Sequence, residues 1–295
     1  MYRGFYILKI KRRTMIIDFH THTFPDKIAE RALKGLSDSS RTVPYTDGTV
    51  KGRFASMEKS GIEISVNLPV ATKASQVEGI NNIAIESICD DFTEGIIEFG
   101  SMHIEYENAK DELKRLSDNG VKGIKIHPAF YQKDIIDNRI KNIIYEAQVL
   151  DLIVITHAGW DIGFPEANYI PVKSLLEIDK EIAPKKMVLA HMGGWNDWDT
   201  VERDLAGSDY YFDTSFSIGK INARPDLPDP MRTYNMTDED FVRLCKKHGV
   251  DKILFGTDSP WADQSEYVEK IKDFDFIEEE KEKIFCGNAK RILNI

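Results

Sequence analysis

The stretch Met15-Ile16-Ile17-Asp18-Phe19-His20-Thr21-His22 runs from three apolar residues into an Asp-x-His-x-His sequence. The apolar residues are typical of a buried β-strand, and side chains two positions apart on a strand share a face. Asp18, His20 and His22 are therefore expected to point the same way. Two neighbouring imidazoles at the end of a strand can bind one divalent transition metal ion. We interpret His20 and His22 as metal ligands rather than as histidines that form only hydrogen bonds in a loop.

Short apolar runs of this kind alternate with helical patterns along the whole chain. The alternation predicts parallel strands connected by helices. Eight runs favour an α/β fold of the (β/α)8 TIM-barrel type over a doubly wound open sheet, because polar residues follow strand after strand instead of gathering at one switch point. No glycine-rich motif for a dinucleotide or a nucleoside triphosphate follows a predicted strand. The predicted strands are 15–19, 62–68, 96–103, 121–128, 152–157, 187–191, 210–215 and 252–258.

Residues 1–14 differ from the rest of the chain. They contain five basic residues and no acidic residue, and the basic cluster follows a short apolar run, whereas a signal peptide has the reverse order. We interpret 1–14 as a basic N-terminal extension and 15–295 as a single TIM-barrel domain. Within that domain, the polar segment 24–50 is expected to be a long loop above the first strand, and 216–236 a second long loop.

Composition and charge exclude several classes of protein. The formal net charge is −10, whereas non-specific nucleic-acid binding requires a basic surface. No apolar run approaches the ~20 residues that a membrane span requires. The cysteines at 89, 245 and 286 are widely separated and odd in number, which argues against a zinc finger or a disulfide framework and favours a reducing cytoplasm. We expect a cytoplasmic protein with a small-molecule substrate, and a homodimer on base rates alone.

Histidines mark the ends of the predicted strands. Six of the seven lie at or just past the end of an apolar run, and only His248 does not. The carboxyl ends of the strands form the active-site face of a barrel, so residues far apart in the sequence are expected to meet there. This pattern predicts an active site built from several strands. The six histidines are His20, His22, His103, His127, His157 and His191.

Three residues complete the predicted centre. His157 ends the fifth strand and is interpreted as a third metal ligand. Asp258 ends the eighth strand, where a carboxylate can ligate the metal, accept a proton from water or cap the following turn. His191 ends the sixth strand as either a ligand or a catalytic acid/base. We favour the catalytic role, because His20, His22, His157 and Asp258 already leave a metal ion an open position.

A second set of residues is predicted to contact the substrate. Lys125 and His127 alternate on the fourth strand, so they share a face. Lys125 can bind a substrate carboxylate or, if carboxylated, bridge two metal ions, whereas His127 can simply orient its loop. Trp160 and Trp195 follow His157 and His191 closely and can wall an aromatic pocket, with ordinary packing as the alternative. His103 is open to both interpretations.

Two further pairs lie near the predicted site. Asp213 and Ser215 end the seventh strand. They are expected to contact the site residues and orient them, without binding the metal themselves. Arg224 and Arg232 lie in the loop 216–236. Either arginine can pair with a substrate carboxylate, although a solvated loop arginine is the more common state.

Taken together, these motifs resemble the amidohydrolase superfamily, and more narrowly the amidohydrolase 2 family, which includes the aminocarboxymuconate-semialdehyde decarboxylase-like enzymes. The resemblance implies a mononuclear site, commonly zinc or manganese, with His20, His22, His157 and Asp258 as ligands and His191 as the catalytic histidine. One departure is the bulky Trp195 shortly after that histidine. The motifs are Asp18-x-His20-x-His22, Gly123-Ile-Lys-Ile-His-Pro128, Thr156-His-Ala-Gly159, Ala190-His-Met-Gly-Gly194 and Gly256-Thr-Asp-Ser-Pro260.

The leading prediction is a metal-dependent hydrolase that activates water on one divalent ion, most simply zinc, to attack an amide, ester or lactone of a small molecule. Asp258 would accept the proton and His191 would stabilise the oxyanion. The alternative is a non-oxidative decarboxylase of a small aromatic or enol-type carboxylic acid, which needs a cationic clamp such as Lys125 or Arg232. Two remaining alternatives are a dinuclear hydrolase with carboxylated Lys125 and a barrel that binds a ligand without turnover.

Overall fold

The computed structural model describes residues 14–89, 95–226 and 235–295. Within these ranges each of the eight predicted strands overlaps an observed one, and the third is divided in two at Phe99. The strands are Ile17–Thr21 (β1), Ile64–Asn67 (β2), Ile96–Glu98 (β3), Gly100–Ser101 (β4), Gly123–Ile126 (β5), Ile153–Thr156 (β6), Met187–Leu189 (β7), Tyr211–Asp213 (β8) and Ile253–Leu254 (β9).

β1 to β3 pair in sequence order, as do β4 to β9, and every pairing is parallel. Between the last strand and the first, the amide of Phe19 donates to the carbonyl of Phe255 over 2.7 Å, and Thr21 forms a parallel bridge with Ser259. These contacts close the sheet on itself. The structure therefore confirms the predicted (β/α)8 TIM barrel.

Helices surround the strands, as the periodicity predicts for most of them. The described helices are Asp26–Ser40 (α1), Val50–Ser60 (α2), Val77–Cys89 (α3), Ala109–Asp118 (α4), Pro128–Tyr131 (α5), Asn138–Val149 (α6), Val172–Ile182 (α7), Trp198–Thr200 (α8), Asp238–His248 (α9), Gln264–Asp273 (α10), Glu278–Glu282 (α11) and Asn288–Leu293 (α12), with π-helical turns at Val201–Leu205 and Lys283–Gly287.

Helix α1 corrects the prediction that 24–50 is a long loop. Its polar composition hides an apolar stripe, because Ala29 and Leu33 lie one turn apart and both are buried. The remainder of the segment, between α1 and α2, has no regular helix or strand. The polar composition of the segment was a misleading reason to predict a loop, because two buried side chains on one face are enough to hold a surface helix in place.

The closing helix packs against the barrel. Ala289, Ile292 and Leu293 of α12 belong to one buried apolar cluster with Ile17 and Phe19 of β1. None of the helices in the described ranges is long and apolar enough to cross a membrane. Residues 1–13 of the predicted extension lie outside the described residues, so the division into extension and barrel domain stays a prediction.

Candidate metal centre

Three of the four predicted ligands lie together at the carboxyl ends of β1 and β9. The Nε2 atoms of His20 and His22 are 3.2 Å apart. Asp258 Oδ1 lies 3.0 Å from His22 Nε2 and 3.6 Å from His20 Nε2. The two segments are joined by their backbones, because the amide of Asp258 donates to the carbonyl of His20 over 2.8 Å. Barrel closure therefore places the two histidines and the carboxylate within reach of one ion.

Hydrogen bonds to the far side of each ring fix which nitrogen carries the proton. His22 Nδ1 donates to the carbonyl of Leu68 over 2.7 Å, and His20 Nδ1 lies 2.8 Å from Asp213 Oδ2. The His20 imidazole holds the pKa of the Asp213 carboxyl below its usual range despite burial, so this carboxylate accepts the proton of Nδ1. In the neutral form of each ring, Nε2 is therefore the unprotonated nitrogen.

In the neutral rings, two lone pairs and a carboxylate oxygen thus converge on one point. The Lys125 ammonium faces one of these acceptors, since its Nζ lies 3.2 Å from His20 Nε2, and a cation between the acceptors would relieve the repulsion that remains. Burial, reinforced by the charge of Lys125, lowers the pKa of His20 to about 3, so this ring does not supply that cation by protonation. Nitrogen and carboxylate donors of this kind suit zinc or manganese. The residues present fit a divalent metal ion.

His157 lies apart from this group and faces His191. His157 Nε2 donates to the carbonyl of Trp160 over 2.8 Å, and His191 Nδ1 donates to the carbonyl of Ser215 over 3.0 Å. The remaining nitrogens, His157 Nδ1 and His191 Nε2, face each other at 3.0 Å. Burial lowers the pKa of both rings. A second pair of unprotonated nitrogens therefore lies beside the first, with His191 between His157 and His20.

Lys125 completes this cluster from β5. The side chain is buried, with 1% exposed, and its Nζ lies 3.2 Å from His20 Nε2. Burial lowers the pKa of Lys125 to about 8, while Asp213 and Asp258 oppose that change. The structure thus places the predicted substrate-binding lysine directly against a predicted metal ligand.

Two of these residues have left-handed backbones. His191 has φ 59° and Asp258 has φ 67°, a region that residues with a Cβ enter at some cost in energy. At Asp258 the conformation is held by the bond from its amide to His20 and by the amide of Trp261, which donates to its carbonyl over 2.9 Å. The turn after β9 is thereby shaped to present the carboxylate to the histidines.

A second group that could hold an ion contains His127, His157 and Asp161. His127 Nε2 lies 3.2 Å from Asp161 Oδ2, and its ring stacks on His157 with centroids 4.8 Å apart. The contact between His127 Nε2 and Asp161 pairs a donor with an acceptor and requires no cation, whereas His127 Nδ1 is buried without a partner among the described residues. Asp161 was not singled out from the sequence, although it follows His157 in the same loop.

The two predicted pocket tryptophans have different environments. Trp195 is buried in an apolar cluster with Phe216 and Ile221. Trp160 is 36% exposed, and its amide donates to the carbonyl of Trp195 over 3.0 Å. Trp195 therefore packs within the molecule, whereas Trp160 has a face open to solvent.

The loop arginines lie elsewhere. Arg224 pairs with Asp38 over 2.8 Å and with Asp226 over 3.2 Å on the surface. Arg232 lies outside the described residues. Neither arginine is therefore placed at the metal centre by the described part of the chain.

Asp18 does not share a face with the two histidines, contrary to the expectation from strand alternation. Its carboxylate accepts from Thr257 Oγ1 over 2.6 Å and from Gln264 Nε2 of α10 over 2.7 Å. The pairing of β1 with β2 slips by one residue between Asp18 and Thr21. Such a bulge redirects the side chains that follow it. The Asp18 carboxylate therefore forms hydrogen bonds near the turn after β9, whereas the two histidines face the metal centre.

Arg53 of α2 is a support that sequence reasoning missed. Its side chain is buried, and its Nη2 donates to the carbonyls of His22 over 2.9 Å and Ser259 over 2.6 Å. Its Nε and Nη1 are buried without a partner among the described residues. One guanidinium thus ties the β1 ligand segment to the turn that carries Asp258.

Comparison with known proteins identifies one matching family model. A family model described as Amidohydrolase matches residues 17–295. The match covers most of the chain and confirms the family resemblance drawn from the motifs. No curated protein matches the chain.

Several solved structures are similar in fold. The 5-carboxyvanillate decarboxylase of Sphingomonas paucimobilis has 14% identity and a TM-score of 0.69, covering 96% of this chain and 100% of that chain. A dihydroxybenzoic acid decarboxylase of Polaromonas sp. JS666, with bound manganese and the inhibitor 2-nitroresorcinol, has 14% identity and a TM-score of 0.69, covering 96% and 97%. A TIM-barrel protein of Bordetella bronchiseptica has 18% identity and a TM-score of 0.70, covering 95% and 98%. At these identities the likeness concerns the fold.

Proposed function

Because the chain belongs to the amidohydrolase family of metal-dependent enzymes, we propose that it is a decarboxylase of a small aromatic carboxylic acid. The observation that carries this proposal is the buried Lys125, whose Nζ lies 3.2 Å from His20 Nε2. A cation at this position suits a substrate that brings a carboxylate to the centre. The likeness to two decarboxylases of aromatic acids supports the same choice over our leading prediction of hydrolysis.

The buried carboxylates of the site require local cations. Asp213, Asp258 and Asp161 are ionised, and burial is the reason that their charges must be balanced locally. All three carboxylates act on the Lys125 ammonium. Lys125 supplies one positive charge and a divalent ion would supply two, so the charges of the site support a divalent ion beside a protonated Lys125.

His20, His22 and Asp258 would hold the ion, whereas His157, the fourth ligand expected from the sequence, faces His191. When bound, the ion supplies Lewis-acid chemistry that polarises substrate oxygens. Manganese is present in one similar structure, and the donor set suits zinc as well. The choice of metal is therefore part of the proposal.

The chain's own residues have separate tasks. Lys125 binds and orients the carboxylate that is lost. Decarboxylation breaks the bond between the ring carbon and that carboxylate, and the ring carbon then takes up one proton. His191 is the proposed acid/base, because the bond from its Nδ1 to Ser215 leaves Nε2 as the atom that gains and returns a proton.

Hydrolysis remains a second candidate because of Asp258. The neighbouring histidines hold the pKa of the Asp258 carboxyl at about 2 against the effect of burial, so this group is an ionised acceptor beside the ligands. A carboxylate in that state can take a proton from an attacking water. The facing nitrogens of His157 and His191 also favour, as a variant of this candidate, two ions with carboxylated Lys125 between them.

A substrate screen separates these candidates. Protein loaded with manganese or zinc is incubated with 2,6-dihydroxybenzoate, 5-carboxyvanillate and a panel of esters and lactones in water labelled at oxygen. The proposal predicts release of carbon dioxide without label in the ring product, and loss of this activity in Lys125→Met with the metal retained. Turnover of esters or lactones with labelled products, and none of the acids, would contradict it in favour of hydrolysis.

A further inference from the structure

A cavity of ≈ 470 Å³ lies among the loops that follow β2, β4 and β5. Residues 72–75, 103–105 and 130–131 line it. None of these residues belongs to the proposed metal centre, so a molecule in this cavity would be bound apart from the ion. The volume lies within the range of roughly 300–1,000 Å³ that is typical of small-molecule sites.

One buried side chain on the floor of the cavity has a hydrogen-bond donor without an acceptor. His103 is 5% exposed, and burial lowers its pKa, which keeps the ring neutral. The amide of Glu105 donates to His103 Nδ1 over 3.2 Å, so the neutral ring carries its proton on Nε2. That N–H has no hydrogen-bond partner among the described residues. A buried donor of this kind indicates a ligand that supplies the acceptor.

The surface around this donor is apolar. Ile104 is buried, and Phe130 is half-buried. The Tyr131 ring meets the His103 ring edge-on with centroids 4.7 Å apart, while the Tyr131 hydroxyl is already used, since it donates to the carbonyl of Met102 over 2.6 Å. These walls therefore favour an apolar group beside the acceptor that His103 requires.

The cavity also carries one exposed charge of each sign. Lys73 lies in the loop after β2 and Glu105 in the loop after β4, and both line the cavity. Within the described ranges, neither side chain forms an ion pair with the other or with a third residue. A cation and an anion that share a cavity without meeting leave room between them for a ligand with both charges.

We propose that this cavity binds a free amino acid with an apolar side chain. The carboxylate of the ligand would accept from His103 and pair with Lys73, its ammonium would lie beside Glu105, and its side chain would contact Ile104 and Phe130. A ligand with a carboxylate alone would bring an anion towards Glu105, and one with an ammonium alone would leave the His103 donor unpaired. The site goes beyond the decarboxylase function, because no group of the metal centre takes part in it.

Three matched probes test the proposal by binding alone. L-phenylalanine, 3-phenylpropionate, which lacks the ammonium, and 2-phenylethylamine, which lacks the carboxylate, are titrated by calorimetry into the manganese-loaded protein. The wild type is expected to bind L-phenylalanine about tenfold more tightly than either of the other probes, because each of them loses one charge-assisted hydrogen bond.

Variants of the lining residues assign each preference to its side chain. Lys73→Met is expected to reduce the preference over 2-phenylethylamine to less than about threefold and to leave the preference over 3-phenylpropionate unchanged. Glu105→Gln should have the reverse pattern. His103→Phe should act like Lys73→Met, because it removes the second partner of the carboxylate. Lys110→Met, which removes a surface lysine paired with Glu146, is the control and should leave both preferences unchanged.

Equal affinity of the wild type for L-phenylalanine and 3-phenylpropionate would overturn the proposal, as would preferences that survive both Lys73→Met and Glu105→Gln. If His103→Phe fails to fold, those two exposed variants decide the matter. The variant His22→Ala, which is expected to lose the ion, separates the cavity from the metal centre. Unchanged binding of L-phenylalanine there would support the cavity, and loss of binding would assign the amino acid to the metal centre and overturn the proposal.

Discussion

The Nε2 atoms of His20 and His22 face each other at 3.2 Å, and in the neutral rings neither carries a proton. This relationship distinguishes the proposed metal centre from an ordinary histidine cluster. In the neighbouring group of His127 and Asp161, a ring N–H meets a carboxylate, and the contact is satisfied without an ion. The difference arises on the far side of the rings, where Leu68 and Asp213 take up the protons of Nδ1.

The first prediction concerns Asp213, which holds the ring of His20. Replacing it in Asp213→Asn removes the charge that fixes the proton on Nδ1, and the amide can orient the ring wrongly. We expect zinc or manganese affinity, measured by competition with a chelator, to fall about 10- to 100-fold. Asp209→Asn is the control, because Asp209 pairs only with Lys252 on the surface among the described residues. Equal affinities in the two variants would show that the ring does not depend on this carboxylate.

The second prediction concerns Arg53, which joins the two ligand segments. Arg53→Met is expected to weaken metal binding by about tenfold or more, because the His22 and Ser259 carbonyls lose their shared donor. Hydrogen exchange of the metal-free protein should accelerate at 20–25 and 256–262. Arg243→Met removes a surface arginine paired with Glu202 and serves as the control.

A merely structural role for Arg53 would have a different signature. It would lower the melting temperature while leaving metal affinity and local exchange unchanged. If Arg53→Met does not fold, Arg53→Lys keeps the charge but shortens the donor group, and the same loss of affinity is expected on a smaller scale. Unaltered metal affinity in both variants would show that Arg53 does not hold the two ligand segments in place.

The third prediction concerns pH and Glu98. This side chain is buried against Asn67, whose Nδ2 donates to its Oε2 over 2.7 Å, and burial raises its pKa from 4.5 to about 7. The folded state therefore binds a proton that the unfolded state releases between these values, so the stability from the protonated group is present at low pH and lost as pH rises.

Glu98→Gln removes this dependence. The difference in the free energy of unfolding between variant and wild type should move in favour of the variant by roughly 2–3 kcal/mol from pH 4.5 to pH 8, as measured by urea denaturation. The exposed substitution Glu86→Gln provides the baseline. A difference that stays constant with pH would mean that folding does not change the pKa of Glu98.

Much of this architecture could be predicted from the sequence, and the exceptions have identifiable causes. Each strand is a buried apolar run that ends in a polar residue, so the barrel and its active-site face follow from local patterns. The orientation of Asp18 does not, because a one-residue slip between β1 and β2 reverses the expected alternation. The role of Arg53 is hidden as well, since an arginine in a surface helix ordinarily faces water.

The orientation of the ligand side chains could not be predicted from the sequence either. His157 was expected beside His20 and His22, yet its Nδ1 faces His191. Sequence position gives the strand end at which a histidine lies, but the nitrogen that it presents depends on backbone carbonyls such as that of Trp160. Those carbonyls belong to loops whose conformation cannot be derived from the sequence.

The most direct test of the account is metal content per chain, measured by elemental analysis after dialysis, in the wild type and in His22→Ala, His157→Ala and His127→Ala. The account predicts about one equivalent of manganese or zinc in the wild type, loss in His22→Ala, a reduced content in His157→Ala and full retention in His127→Ala. Two equivalents would indicate the dinuclear form of the centre. Loss of the ion in His127→Ala with retention in His22→Ala would contradict the account, because the metal would then belong to the group of His127 and Asp161.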